Sequence, residues 1–204
     1  MNSLTYGRTG PSYNTAGQNS PIRLGTTGEV NVGDAHARYY EAVYRGNVFF
    51  AATQNTAFTS SVGVTTTTAI GLVVSNPVAS GKNLVLLTAE FMPSGVVVGA
   101  IALSVVPFSA TSYTHTTTLT IQKEFVSFGN TSVALADQGA TISATPVPAK
   151  WIFSCLSTNT AVPSVNTFVD LGGQFILPPG CGAVIDGTTA ITGWASLTWE
   201  EVPI

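Results

Sequence analysis

The chain has 204 residues, 45% of them apolar and only 8% charged, with seven Lys and Arg against ten Asp and Glu for a net charge of −3. Ordinary soluble domains carry roughly 25% charge, so few charges remain to cover a free surface, and the composition points to surface destined for burial in an assembly. The slightly negative balance lacks the basic field that a phosphate backbone requires, so nucleic acid is excluded as the expected partner.

The N-terminus, Met1-Asn2-Ser3-Leu4-Thr5-Tyr6-Gly7-Arg8, shows no positive start followed by an apolar stretch, so no secretory signal is expected there. Residues 1 to 33 are dominated by Gly, Ser, Thr, Asn and Pro, with no sustained apolar period. Such a segment cannot form a core. It carries isolated anchors, Tyr6, Tyr13, Ile22 and Leu24, with the cations Arg8 and Arg23, so these six residues are the candidate docking arm, ordering against a partner.

Residues 34 to 50 concentrate charge and aromatics. Asp34 suits the cap of a short helix carrying Tyr40 and Tyr44 four positions apart, yet Tyr, Val and Phe favour strands, and extended chain ending at the Gly46-Asn47 turn is the reading adopted. Arg38, Tyr39, Tyr40, Tyr44 and Arg45, with the exposed aromatic Trp194, form the candidate interface. Residues 1–58 are thus read as an extended arm and linker, and residues 59–204 as a β domain.

Within that domain the pattern predicts strands over Ala69–Ser75, Leu84–Met92, Val96–Pro107, Thr116–Phe125, Lys150–Leu156, Thr167–Leu177, Gly182–Asp186 and Thr192–Val202, with one more near Thr141–Ala144. Asn76-Pro77 with Ser80-Gly81-Lys82-Asn83, Pro93-Ser94-Gly95, and Pro178-Pro179-Gly180 read as closing three hairpins. The last strand alternates most cleanly, with Ala195, Leu197 and Trp199 on one face and Trp194, Ser196, Thr198 and Glu200 on the other. Short strands with Gly- and Pro-bearing turns and no βαβ alternation suit an all-β, two-sheet, jelly-roll-like β-sandwich, although an immunoglobulin-like sandwich with extra strands reads similarly.

The longest apolar stretches, Leu84 to Leu87 and Val96 to Val106, fall short of the roughly 20 residues of a membrane helix, so no membrane partner is expected. Cys155 and Cys181 permit one disulfide at most, and without an export signal a reduced, buried pair is expected.

Little in the chain offers chemistry. The histidines are His36 and His115, and no Gly-x-Ser-x-Gly elbow accompanies them, so both read as surface or interface residues and no catalytic residue is assigned. The cysteines have no neighbouring His, and Asp170 and Asp186 stand apart, so neither a metal nor a cofactor is expected. Glu200 and Glu201 are adjacent on a strand and face opposite sides, which fits a solvated or interface edge better than an acid pair. Trp151 and Trp199 lie in apolar patterns and read as core.

The run Gly28-Glu29-Val30, Asp34-Ala35-His36-Ala37-Arg38-Tyr39-Tyr40-Glu41-Ala42 and Arg45-Gly46-Asn47-Val48-Phe49, then Ser75-Asn76-Pro77 and Gly81-Lys82-Asn83-Leu84-Val85-Leu86, resembles a group of tailed-phage virion structural proteins. The endings Phe175-Ile176-Leu177-Pro178-Pro179-Gly180 and Trp199-Glu200-Glu201-Val202-Pro203-Ile204 are similar too. The resemblance implies a non-enzymatic virion protein assembled in the host cytoplasm, of the capsid cement or decoration kind, with the major capsid protein and its own copies, as a homotrimer, for partners. A tail or fibre component binding a host surface glycan is the alternative.

Overall fold

The computed structural model describes residues 38–53, 57–60, 67–94, 98–106, 113–126, 130–155 and 167–204. The chain divides into Met1–Glu41 and Ala42–Ile204, and of the first unit only Arg38 to Glu41 are described. In chain order the elements are α1 (Tyr40–Tyr44), β1 (Val48–Ala52), β2 (Phe58–Thr59), β3 (Thr68–Ala69), β4 (Leu72–Ser75), β5 (Lys82–Pro93), β6 (Gly99–Val106) and β7 (Tyr113–His115). They continue with β8 (Gln122–Lys123), β9 (Leu135–Asp137), β10 (Ala140–Ile142), β11 (Val147–Cys155), β12 (Thr167–Leu177), β13 (Gly182–Gly187) and β14 (Thr192–Pro203).

The fold is nearly all β and its pairings are antiparallel. One sheet runs β12-β5-β14-β1-β8, with β2 also on β14, a second runs β11-β6-β13-β4-β9, and a small third runs β3-β10-β7. Among the described residues no two consecutive strands pair with each other. That overturns the three expected hairpins: the connections from β4 to β5, from β5 to β6 and from β12 to β13 each carry the chain from one large sheet to the other. Gly and Pro end a strand equally well in a hairpin or in a crossing, so turn chemistry alone does not choose between them.

Both large sheets feed one core. Phe49, Leu84, Phe91, Leu197 and Trp199 from the first sheet and Leu72, Val74, Ile101, Leu103 and Ile185 from the second are buried in the same cluster, and the Phe91 and Phe153 rings lie 6.0 Å apart across it. In β14 burial alternates as expected, with Ala195, Leu197 and Trp199 inside. A bulge in β5 explains the unbroken apolar run there: Thr198 pairs Thr88 and Trp199 pairs Leu86, so Leu87 is extra and the inward set shifts from Leu84 and Leu86 to Ala89 and Phe91. The β13 strand is buried along its whole length, since Ala183 and Ile185 enter the main core while Val184 packs with Val73, Val106, Ala140 and Ile142 of a second cluster that the third sheet helps to build.

Four elements differ from the sequence reading. Val48–Ala52, assigned to the linker, forms β1 and pairs with β14. The segment after Arg38 forms the short helix α1 instead of extended chain, turning at Gly46 with φ 70°. The expected strand Ala69–Ser75 breaks at Gly71, where a Cβ would stand 2.1 Å from the Ile185 carbonyl oxygen, and its halves join different sheets. The expected strand Thr116–Phe125 is reduced to β8, with β7 ending at His115 just before it.

Candidate docking surface

The strands β11 and β12 end their sheets on one side of the fold and adjoin each other. An edge strand carries unpaired backbone groups, and outward apolar side chains there expose surface that water solvates poorly. Trp151 is 54% exposed on β11, beside exposed Val147, while Phe168 and Ile176 on β12 are 59% and 55% exposed. Lys150 and Asp170 are the only charges on the two strands. Trp151 was expected in the core, but register shifts between Pro148 and Lys150 and between Trp151 and Phe153 turn its indole outward while Ile152 stays buried.

Bulges on both edge strands set the mode of docking this side permits. In β12 the residues Leu171 to Gln174 stand against Leu87 alone, with Gly172 and Gly173 at φ 56° and 78°, and the Gly172 amide donates to Asp170 Oδ1 at 2.8 Å. Bulged edges resist addition of a further strand, so contact here runs through side chains.

The residues read as the docking arm, Tyr6, Arg8, Tyr13, Ile22, Arg23 and Leu24, lie outside the described residues, as does His36. Arg38 stacks over the Tyr39 ring at 5.2 Å, and Tyr40 is exposed at the start of α1. Tyr44, 62% exposed, stacks on Phe125 with ring centroids 6.0 Å apart. Arg45 acts on Glu200: burial raises that carboxyl above the usual carboxylate range, and the guanidinium opposes the rise. Trp194 lines a depression of about 190 Å³ with Ala52, Thr53, Glu90, Met92 and Ser196. Six residues of extended chain separate Trp194 from Glu200, roughly 20 Å, so Trp194 and Arg45 do not form one cluster.

Of the remaining titratable groups, Glu201, Asp186 and Cys181 are buried, while Glu124 and His115 are exposed. Glu201, read as an edge residue, is buried and accepts from Lys82 Nζ at 2.8 Å. Burial pushes the Asp186 carboxyl up to about 7, and neither of its oxygens has a partner among the described residues. Glu124 is raised by burial and then by the charge of Glu90. Cys181 is a buried free thiol whose titration burial raises. His115 is exposed, as its reading as a surface or interface residue expects, and points Nδ1 at Oδ2 of the fully buried Asp137. Among the described residues no group of three or more His, Cys, Asp or Glu is placed to hold a metal, and no helix is long and apolar enough to cross a membrane.

No protein-family model, curated protein or solved structure matches this chain.

Proposed function

We propose that this chain is a structural protein of a tailed-phage virion, a jelly-roll module that acts as a capsid cement or decoration protein by bridging major capsid subunits. The observation that carries the reading is the adjoining pair of β11 and β12 edges, where Val147, Trp151, Phe168 and Ile176 stand exposed on strands whose only charges are Lys150 and Asp170. A surface of this kind suits a protein whose working state is covered by neighbours.

The strand order supports the jelly-roll part. The β12-β5-β14-β1 and β11-β6-β13-β4 sets fill alternately along the chain, which crosses between them at β4 to β5, β5 to β6, β11 to β12, β12 to β13 and β13 to β14. Two Greek keys wound together give that interleaving. The resemblance of stretches within residues 28–49 and 75–86, and of 175–180 and 199–204, to phage virion proteins supplies the setting. The mechanism is mechanical: bridging adjacent subunits buries surface that an undecorated shell leaves wet, and whatever binds only the assembled shell stabilises it.

Copy number tests the reading. Quantitative mass spectrometry of purified virions is expected to find this chain at an abundance approaching that of the major capsid protein. A handful of copies per particle would overturn the cement role in favour of a tail or fibre component.

A further inference from the structure

On the outer face of the first sheet Trp194 stands opposite Met92 and Ser196 opposite Glu90, and Ala52 of β1 meets Ser196 on its other side. Residues directly opposite in an antiparallel pair point to one side, and diagonal neighbours lie within reach of long and aromatic side chains. The result is a depression of about 190 Å³ lined by these five residues together with Thr53. It is open to solvent. Met92 is exposed and Trp194, Glu90, Ser196 and Ala52 are half-buried, so their side chains remain accessible to a docking group. Its charge is unbalanced. No Lys or Arg lines it, and among the described residues the Glu90 carboxylate has neither an ion pair nor a hydrogen bond. Glu124 lies close enough to feel the charge of Glu90, so a second carboxylate deepens the negative potential.

The complement is a planar cation. A guanidinium stacks on an indole face while forking two N–H donors onto a carboxylate, whereas a lysine ammonium offers a point charge. The volume falls below the roughly 300 to 1,000 Å³ of small-ligand sites, so it seats the head of one side chain, with further contact made around it. Trp and Arg are also the residues most enriched where interfaces concentrate their binding energy. We propose that this depression is the socket for an arginine side chain of a second protein, the guanidinium lying against Trp194 and the Met92 thioether and donating to the Glu90 carboxylate, with the Ser196 hydroxyl accepting a remaining N–H. The described arginines of this chain are engaged elsewhere, Arg38 over the Tyr39 ring and Arg45 acting on Glu200, which favours a different protein over another copy. The socket is built from side chains of β1, β5 and β14 and the adjoining Thr53, and it stands independently of the virion reading.

Blocked tripeptides with arginine, lysine or the neutral arginine isostere citrulline between two alanines, titrated into the isotope-labelled full chain and followed by NMR, test it. The arginine peptide is expected to bind with Kd of about 5 mM and to move the Trp194 indole N–H signal, assigned by its absence from Trp194→Phe. The lysine peptide should bind about threefold more weakly, and the citrulline peptide about tenfold. Glu90→Gln, which removes an unpaired charge from a half-buried position and is expected to fold normally, should weaken the arginine peptide about tenfold, and Trp194→Leu about threefold. Equal affinity for the citrulline peptide, no binding of the arginine peptide up to about 50 mM, or unchanged affinity in both variants would overturn the proposal. So would methylguanidinium binding as tightly as the peptide, which makes the depression a site for a free cation, or a loss of oligomer mass on Glu90→Gln in light scattering, which assigns the arginine to a second copy.

Discussion

Glu201 is held by Lys82 across the β14 and β5 pair, Nζ to Oε2 at 2.8 Å, with the carboxylate buried and the lysine partly open to solvent. The other carboxylate oxygen accepts from Ser132 Oγ at 2.6 Å and from the Val133 amide at 2.8 Å. One side chain therefore pins an otherwise irregular segment, residues 130–134, against the end of two long strands. Glu201→Ala removes all three bonds and strands a lysine and a partly buried amide, which is expected to cost about 2–4 kcal/mol. Urea denaturation of the variant and the parent chain measures it, and a loss below about 1 kcal/mol would reduce the contact to an ordinary surface pair.

Asn76 plays a similar part where two sheet crossings meet. Its amide nitrogen ties Lys82 O and Leu177 O, its backbone N–H donates to Cys181 O, and its carbonyl accepts from the Gly180 amide. The crossings from β4 to β5 and from β12 to β13 are thereby joined through one residue. Asn76→Ala leaves two carbonyls without their donor in a buried place, so a loss of about 2–4 kcal/mol is expected. Asn76→Leu should do no better, because volume does not restore the donors; recovery of stability in that variant would show that packing, not hydrogen bonding, matters there.

Much of the strand content was legible because side-chain alternation is local. The pattern Ala195, Leu197, Trp199 found β14 and its inner face, and Thr141–Ala144 anticipated β10. Pairing was not legible, because every partner is distant in sequence: Ala51 meets Leu197 and Leu72 meets Ile185. The inversion of Trp151 had the same origin. An indole in the run Trp151-Ile152-Phe153 reads as core until the bulges of an edge strand are known. His115 and Asp137 belong to strands in different sheets, and no sequence spacing marks their meeting.

Asp186 gives the fold a pH dependence whose sign is fixed. Its carboxyl rises from 3.8 to about 7 through burial, so the folded state favours the protonated form. The stabilisation is fully present below the unfolded value of about 4 and is lost as pH rises towards 7. The span is worth on the order of 4 kcal/mol. Asp186→Asn, which cannot ionise, is expected to be more stable than the parent chain at about pH 8 and to lose most of that advantage at about pH 4. Urea melts of both proteins at the two pH values decide it, and an advantage independent of pH would remove Asp186 from the account.

The exposed side formed by β11 and β12 carries the last prediction, which is self-association. Four large apolar side chains stand there with Lys150 and Asp170 as the only charges of their strands, on a chain that is 8% charged throughout. Burying such side chains is worth roughly 25 cal/mol per Å² of apolar area, offset by the several kcal/mol of lost rotational and translational freedom that any association costs. A closed oligomer, a trimer in the proposed setting, gains that burial without an open-ended polymer. Trp151→Glu and Phe168→Glu replace exposed side chains, so each should fold and melt within about 0.5 kcal/mol of the parent chain. Each also places an unpaired carboxylate inside the expected interface, a desolvation cost that packing cannot repay. Light scattering at micromolar concentration is expected to show an oligomer for the parent chain and a monomer for both variants. A parent chain of monomer mass as concentration rises would sink self-association, and an oligomer that survives both substitutions would move the interface away from this side of the fold.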